Sequence, residues 1–345
     1  TLSLHDALPI SERHAELRLL LGAVGLYGIT RLYGLSHQAL RYLALAGIVY
    51  CAAGFMLMLL YARDDAPTNV IPWASSLSFV CCWLLGLMFI KPDISSRRRG
   101  LLLAGCIVGL LTVLMSQTRG AYGVLIILPL MLWFLWLKKD QNKPKIRMNW
   151  ILFSKYATYA VISIACLWSI KNTKLIERPI SAINNAVQQF KGSQASLSQN
   201  YNTSIGARLY LWSKSSDAIL MSPWIGYGHD GRMSLLIKWQ NETELSEPKK
   251  LGHVHNEYLH SLLDHGVLGL ASFITYLVGL AIMAFKLNKH QYHSQATALF
   301  GILLMHTSTA LSNVNFAHNY YPTMLSLMVS IVLWSVTASQ TKKVP

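Results

Sequence analysis

Apolar residues along the chain gather in runs about as long as a bilayer core is thick. A helix needs about 20 predominantly apolar residues to cross that core. Eight such runs stand at about 17–35, 40–61, 74–91, 100–117, 120–137, 151–170, 266–286 and 295–313, with a further run at 321–338. Arg31 interrupts the first, which makes it the weakest, and without it the count is eight. The runs predict an all-α fold, a polytopic transmembrane helix bundle. One long polar segment, Lys171 to His265, separates the sixth run from the seventh. Within it, Ser204 to Met221 has a capping residue, apolar positions at Leu209, Trp212 and Ile219, and a stop at Pro223, the pattern of an amphipathic helix lying at a membrane surface. Lys191 to Asn202 reads as a flexible loop, and Asn256 to Asp264 as a second helical stretch running into the next span. The segment is thus a long, partly helical loop expected to fold over the outer mouth of the bundle.

Composition agrees with a membrane protein. Of 345 residues, 53% are hydrophobic and 13% charged, about half the charged fraction of a soluble domain, and the mean hydropathy is +0.36. The net charge of +15 would raise nucleic acid as a partner in a soluble chain. Here the basic residues cluster in short links, where they report orientation, because cytoplasmic loops carry an excess of Lys and Arg. Arg97–Arg99, then Lys138 to Arg147, then Lys286 and Lys289, then Lys342 and Lys343 all fall on one side when the spans between them are counted. That side is expected to be the cytoplasm. Three connections then face outward: the tight turn Ser116 to Gly120, the long segment, and the short stretch Asn313 to Tyr320. From Lys171 to His265 there are ten Lys or Arg and eight Asp or Glu, a near balance that argues against a nucleic-acid surface.

The organisation follows: bundle over 11–170, loop over 171–265, bundle again over 266–338, and a cytoplasmic tail over 339–345. Thr1 to Ile10 has no initiator Met, no n-region and no h-region, and looks like a translated sequencing adapter. The first part of the native protein is expected to lie upstream of Ser11. The five cysteines, Cys51, Cys81, Cys82, Cys106 and Cys166, all lie within apolar runs, where free Cys behaves as a small hydrophobe; neither a disulfide nor a cysteine metal site is expected. The chain holds no GxGxxG, no Walker loop, no paired carboxylates at helical spacing and no serine nucleophile elbow.

A few polar residues stand out on the outward side. Arg119 sits between two apolar runs. It is either a snorkelling side chain at a helix end or a fork for the phosphate oxygens of a lipid-linked diphosphate. Arg208 lies in the first turn of the loop helix, where the helix dipole disfavours a cation; it is either solvated or a second clamp on the same group. His253, His255 and His260 lie in HVHNEYLH. Their spacing matches no standard zinc motif, which leaves polar interfacial histidines or a general base that takes a proton from an attacking hydroxyl. Asn256, Glu257 and Asp264 are close in sequence, and any of them can orient the ring. Asn313 to Tyr320 reads more as a solvated loop than as a sugar-binding one. Lys174, Arg178, Lys214, Arg232, Lys249 and Lys250 read as solvated surface charge.

SQTRGAY, then SIGARLYLW followed by SPWIGYG, then VHNEYLHSLLDHGVLGL, in this order over roughly Asn69 to Tyr321, resemble the O-antigen ligase and polymerase superfamily. The last block is the most specific, with His255, Asn256, Gly266 and Gly269 at the family's pattern positions. The resemblance implies a glycosyltransferase of the bacterial inner membrane with a periplasmic active face. It would move a glycan from undecaprenyl diphosphate to an acceptor, which in ligases is lipid A–core. It implies that Arg119 and Arg208 hold the diphosphate, with Asn256 beside them, and that His255 assists the acceptor hydroxyl in an inverting transfer needing no metal, no nucleotide and no other cofactor. Known ligases have more spans than this chain shows. Within the superfamily, an O-antigen polymerase or a protein O-oligosaccharyltransferase differs mainly in acceptor. A lipid-linked saccharide transporter is the alternative of another class, and the scarcity of ionisable residues in the spans counts against it.

Overall fold

The computed structural model describes residues 36–61, 66, 67, 69–90, 95–140, 204–242, 252–318 and 320–340, with a few isolated helical positions among 22–28. The run at 151–170, nearly all of 17–35, the Lys191–Asn202 loop, and Lys174, Arg178, Lys249 and Lys250 lie outside the described residues. The described residues are helical, with no strand among them. In chain order the helices are α1 His37–Leu60, α2 Val70–Leu87, α3 Ser96–Met115, a 3-10 turn Arg119–Gly123, α4 Val124–Asp140, α5 Ser204–Met221, α6 Gly228–Asn241, α7 Glu257–Lys289, α8 His293–Ala310 and α9 Tyr320–Gln340.

Five helices, α1, α2, α3, α7 and most of α9, are long and apolar enough to cross a membrane, and Gly120–Leu135 is a shorter apolar stretch. The bundle is therefore polytopic, as the hydrophobic runs predict. The run predicted at 295–313 is helix α8, which is more polar than the five. It buries Gln295, Thr297, His306 and Thr309.

Helix α2 is the hub. Seventeen of its eighteen residues are buried, and it packs against α1, α3, α4, α8 and α9. Asn69 starts it, its Oδ1 accepting from the Ile71 N–H at 3.0 Å. Small residues let backbones approach where lipid provides no hydrophobic drive between helices. Gly86 on α2 faces Ala298 and the Ser294 carbonyl of α8, with no room for a Cβ, and Gly109 of α3 faces Cys51 and Cys81 in the same way. The hydroxyls of Ser75, Ser76 and Ser78 donate to carbonyls four residues back, at 3.1, 2.8 and 3.1 Å, so these buried polar groups are satisfied within their own helix.

A second apolar cluster lies outside the bundle. Tyr210 and Leu211 of α5, Leu236 and Trp239 of α6, Val254, and Leu263 of α7 form it. The segment expected to face outward thus has a small core of its own, the outward core, built on the same α7 that continues into the bundle.

Candidate active site

Helix α7 joins the two cores through a break. Gly266 takes φ +61°, ψ −154° inside an otherwise continuous helix. A side chain at Gly266 would run into the Trp224 carbonyl, and one at Gly226, itself at φ +65°, into the Asp264 backbone. The turn Pro223–Gly228 therefore lies directly on the break. It is pinned by Tyr227 N–H to the Leu263 carbonyl and Val267 N–H to the Pro223 carbonyl, both at 2.8 Å. Only glycine combines positive φ with this approach, so SPWIGYG and DHGVLG form one interlock.

Just before α7, the segment Gly252–Asn256 carries the imidazoles. Two side chains from the outward core hold it. Trp212 of α5 donates its indole N–H to the Val254 carbonyl at 2.8 Å. Arg232 of α6 donates from Nη1 to the Gly252 carbonyl, and its Nε reaches Asp264 Oδ1 at 2.7 Å. His260 Nε2 lies 3.5 Å from the other oxygen of Asp264. Arg232 is fully buried, which corrects the expectation of a solvated surface charge. Arg232, Leu236 and Trp239 share one buried face of α6, at the i, i+4, i+7 spacing of a core stripe. Lys214, by contrast, stays partly exposed at the surface and pairs with Glu242 at 2.8 Å.

Val254 points into the outward core, so His253 and His255 face the other way. Their rings stand edge to face at 4.3 Å, and His318, from the α8–α9 link, meets His253 at 5.8 Å. His255 adopts φ +53°, a left-handed conformation that costs a non-glycine residue about 1 kcal/mol or more and persists only where surroundings impose it. The anchors on Gly252 and Val254, and the helix start at Asn256, impose it here.

Asn256 is the N-cap of α7. Its Oδ1 accepts from the Tyr258 and Leu259 N–H groups at 3.0 and 3.1 Å, and its Nδ2 donates to the Leu311 carbonyl at 3.3 Å. Glu257 Oε2 accepts from the Asn315 N–H at 2.5 Å and the Phe316 N–H at 3.2 Å. Asn315 Nδ2 donates to Thr309 Oγ1, and that hydroxyl meets Tyr321 Oη, both at 3.0 Å. The 313–318 link is therefore a structured wedge: Val314 and Asn315 are fully buried, against the expectation of a solvated loop. Of the three residues adjacent to His255 that could orient its ring, each is engaged elsewhere: Asn256 in the cap, Glu257 with the wedge, and Asp264 with Arg232. His255 Nδ1 has no hydrogen-bond partner among the described residues.

The SQTRG turn borders the same end of the bundle. Ser116 Oγ accepts from the Thr118 N–H at 3.2 Å, and Gly120 lies so close to Ser312 that a Cβ there would meet its Oγ. The backbone of residue 119 thus opens the 3-10 turn one residue from the Leu311–Asn313 corner that Asn256 holds. Arg208, on the first turns of α5, lies near enough to His255 for its charge to act on the imidazole. Burial first, then the Arg208 and His318 charges, push the His255 pKa down to about 3 from 6.5. His253 is lowered well below 6.5 by burial, with His255 and His318 adding to it.

Residues 104–274 match the family model described as O-antigen ligase. That stretch is an O-antigen ligase family domain. The family match includes Arg119, Arg208, His255, Asn256 and Gly266, and it runs through both sides of the interlock at the α7 break. A Haemophilus influenzae protein (strain ATCC 51907 / DSM 11121 / KW20 / Rd), described as uncharacterized, is 26% identical over 253 residues, which cover 70% of this chain and 59% of that relative. The aligned part thus spans less than two thirds of the relative's length. Trp212, Arg232 and His318 are site residues that sequence reading did not place at the site, and of these only Arg232 carried a signal, its place on the α6 stripe; Glu257, a sequence candidate for orienting the ring, holds the 315–316 N–H groups instead.

The neutral state of the buried imidazoles sets a pH dependence of stability. The fold lowers the pKa of His255 and His253, so the unfolded chain binds protons more readily below pH 6.5. Their contribution is complete above pH 6.5 and is lost as pH falls toward 3. The thermal unfolding midpoint in detergent is expected to drop between pH 7 and pH 5, with part of the drop abolished in His255→Gln. An identical drop in that variant contradicts the assignment.

Proposed function

We propose that the protein is an O-antigen ligase that transfers a glycan from undecaprenyl diphosphate to lipid A–core on the periplasmic face of the inner membrane, with inversion. The observation that carries the reading is the convergence of the Arg208 charge and a neutral His255 imidazole beside the Arg119 turn, at the end of the bundle opposite Arg97–Arg99 and Lys286–Lys289.

The acceptor hydroxyl attacks the anomeric carbon while its proton passes to the His255 imidazole. The bond from that carbon to the diphosphate oxygen breaks, and undecaprenyl diphosphate leaves with the electron pair. Arg208 and Arg119 hold the diphosphate and neutralise the charge that develops on it, the kind of preorganised stabilisation that contributes most where water is excluded. In the free protein burial depresses the basicity of His255, and the Arg208 charge adds to it. A bound diphosphate offsets the Arg208 part of that effect, which raises the ring's basicity when substrate is present. Asn256 contributes by fixing the start of α7, and with it the direction of His255. A diphosphate leaving group already stores the activation, so the chemistry calls for no metal or nucleotide.

A strain lacking the gene is expected to make lipopolysaccharide without O-antigen while lipid-linked O-antigen accumulates, read on gels and by lipid extraction. Lipopolysaccharide capped with a single repeat would instead identify a polymerase. Intact lipopolysaccharide with an unglycosylated protein acceptor would identify an oligosaccharyltransferase.

A further inference from the structure

The outward unit exposes a patch of large apolar side chains that its own core does not use. At the end of α5 and in the following turn, Leu220, Met221, Trp224 and Ile225 are 79%, 85%, 70% and 73% exposed. The stretch Ala218–Gly228 contains no Asp, Glu, Lys, Arg or His. Isolated apolar residues on a surface need no explanation, but a contiguous group marks an interaction site.

The position of the patch identifies its partner. The turn is hydrogen-bonded to α7 at Leu263 and Val267, and it lies against Gly266, where α7 resumes as a membrane span. From there one face of α7 exposes Val267, Ile274, Val278, Ile282 and Phe285, at intervals of seven, four, four and three residues, the stripe of a single helix face. No charged residue falls between Gly266 and Phe285. The patch on the turn thus adjoins the exposed apolar stripe of a helix long and apolar enough to cross a membrane.

We propose that the Leu220–Ile225 corner is immersed in the acyl-chain region of the bilayer leaflet at that end of the bundle, as a fixed wedge beside α7. Trp224 suits the role, because an indole sits at the boundary between chains and headgroups. Helix α5 then leaves the wedge toward its first turns, and the depth of Arg208 is set by the insertion of Leu220–Ile225. That last consequence rests on the proposed function; the insertion does not.

The test is collisional accessibility of a nitroxide attached at Met221→Cys or Ile225→Cys in the full chain reconstituted into lipid nanodiscs, with the parent protein labelled in parallel as background. Ile282→Cys on the α7 stripe is the lipid reference, and Ser234→Cys, exposed on α6, is the water reference. The expected result is high accessibility to oxygen and low accessibility to a neutral nickel chelate at both positions, close to the values at 282. Accessibility to the chelate as high as at 234 overturns the proposal by placing the corner in water. Low accessibility to both reagents also overturns it, because protein and not lipid then covers the patch. Neither readout depends on transfer activity, so failure here and failure of the ligase reading are distinguishable.

Discussion

His255→Ala is expected to lower glycan transfer by about 100- to 10,000-fold, the usual contribution of a positioned general base, while the protein remains in the membrane at parental abundance. The expectation follows from geometry. The ring is held in a left-handed backbone conformation beside Arg208, with its Nδ1 unengaged among the described residues. The change removes the imidazole and its edge-to-face contact with His253 and leaves the Val254 side chain in the outward core. A transfer assay on membranes carrying the variant, with immunoblotting for abundance, checks it. Parental transfer by a normally abundant His255→Ala protein would remove the imidazole from the chemistry. His255→Gly separates the two properties of this residue: it relieves the backbone and still lacks the base, so it is expected to be as inactive as the alanine variant.

The second large effect concerns stability. Arg232→Ala leaves the Asp264 carboxylate buried beside His260 without its guanidinium, and breaking a buried pair from one side costs about 3–5 kcal/mol. The Gly252 carbonyl loses its donor in the same change. The variant is expected to unfold at a markedly lower temperature in detergent and to lose activity through disorder of the His253–His255 segment. The double replacement Arg232→Met with Asp264→Leu removes both charges together. It is expected to recover most of the lost midpoint, since apolar groups of similar size often replace a buried pair at little cost. If the single and double variants unfold at the same low temperature, the Arg232–Asp264 pair is not what secures the outward core.

The bundle was legible in the sequence because membrane spans are specified locally. Twenty apolar residues in a row have few alternatives, and the described helices fall on the expected runs. HVHN was legible because its spacing to Gly266 and Gly269 is itself a signature, and Gly266 proves to be the point where two chain segments cross. Less was legible where burial depends on a distant partner. Nothing near Asn315 in sequence announces that Glu257, 58 residues earlier, takes its N–H, so a short polar link read as solvated. Arg232 is the instructive case, since its type outweighed its position in the reading. A charged residue on a surface helix is usually exposed, yet the stripe it shares with Leu236 and Trp239 pointed inward. The ring-orienting role was assigned among Asn256, Glu257 and Asp264 by proximity in sequence, and the structure gives all three other tasks. Asn256 nonetheless sets the direction of the segment through its cap.

The wedge after α8 has a further consequence, for biosynthesis. The candidate site draws on a turn near residue 119, on helices beginning at 204, and on a link that ends near 318. While a ribosome is still making α8, the histidine segment already exists but Glu257 has nothing to grip. Assembly of this end of the bundle thus waits for the 313–318 link, and a product terminated before that link would lack both N–H partners of Glu257.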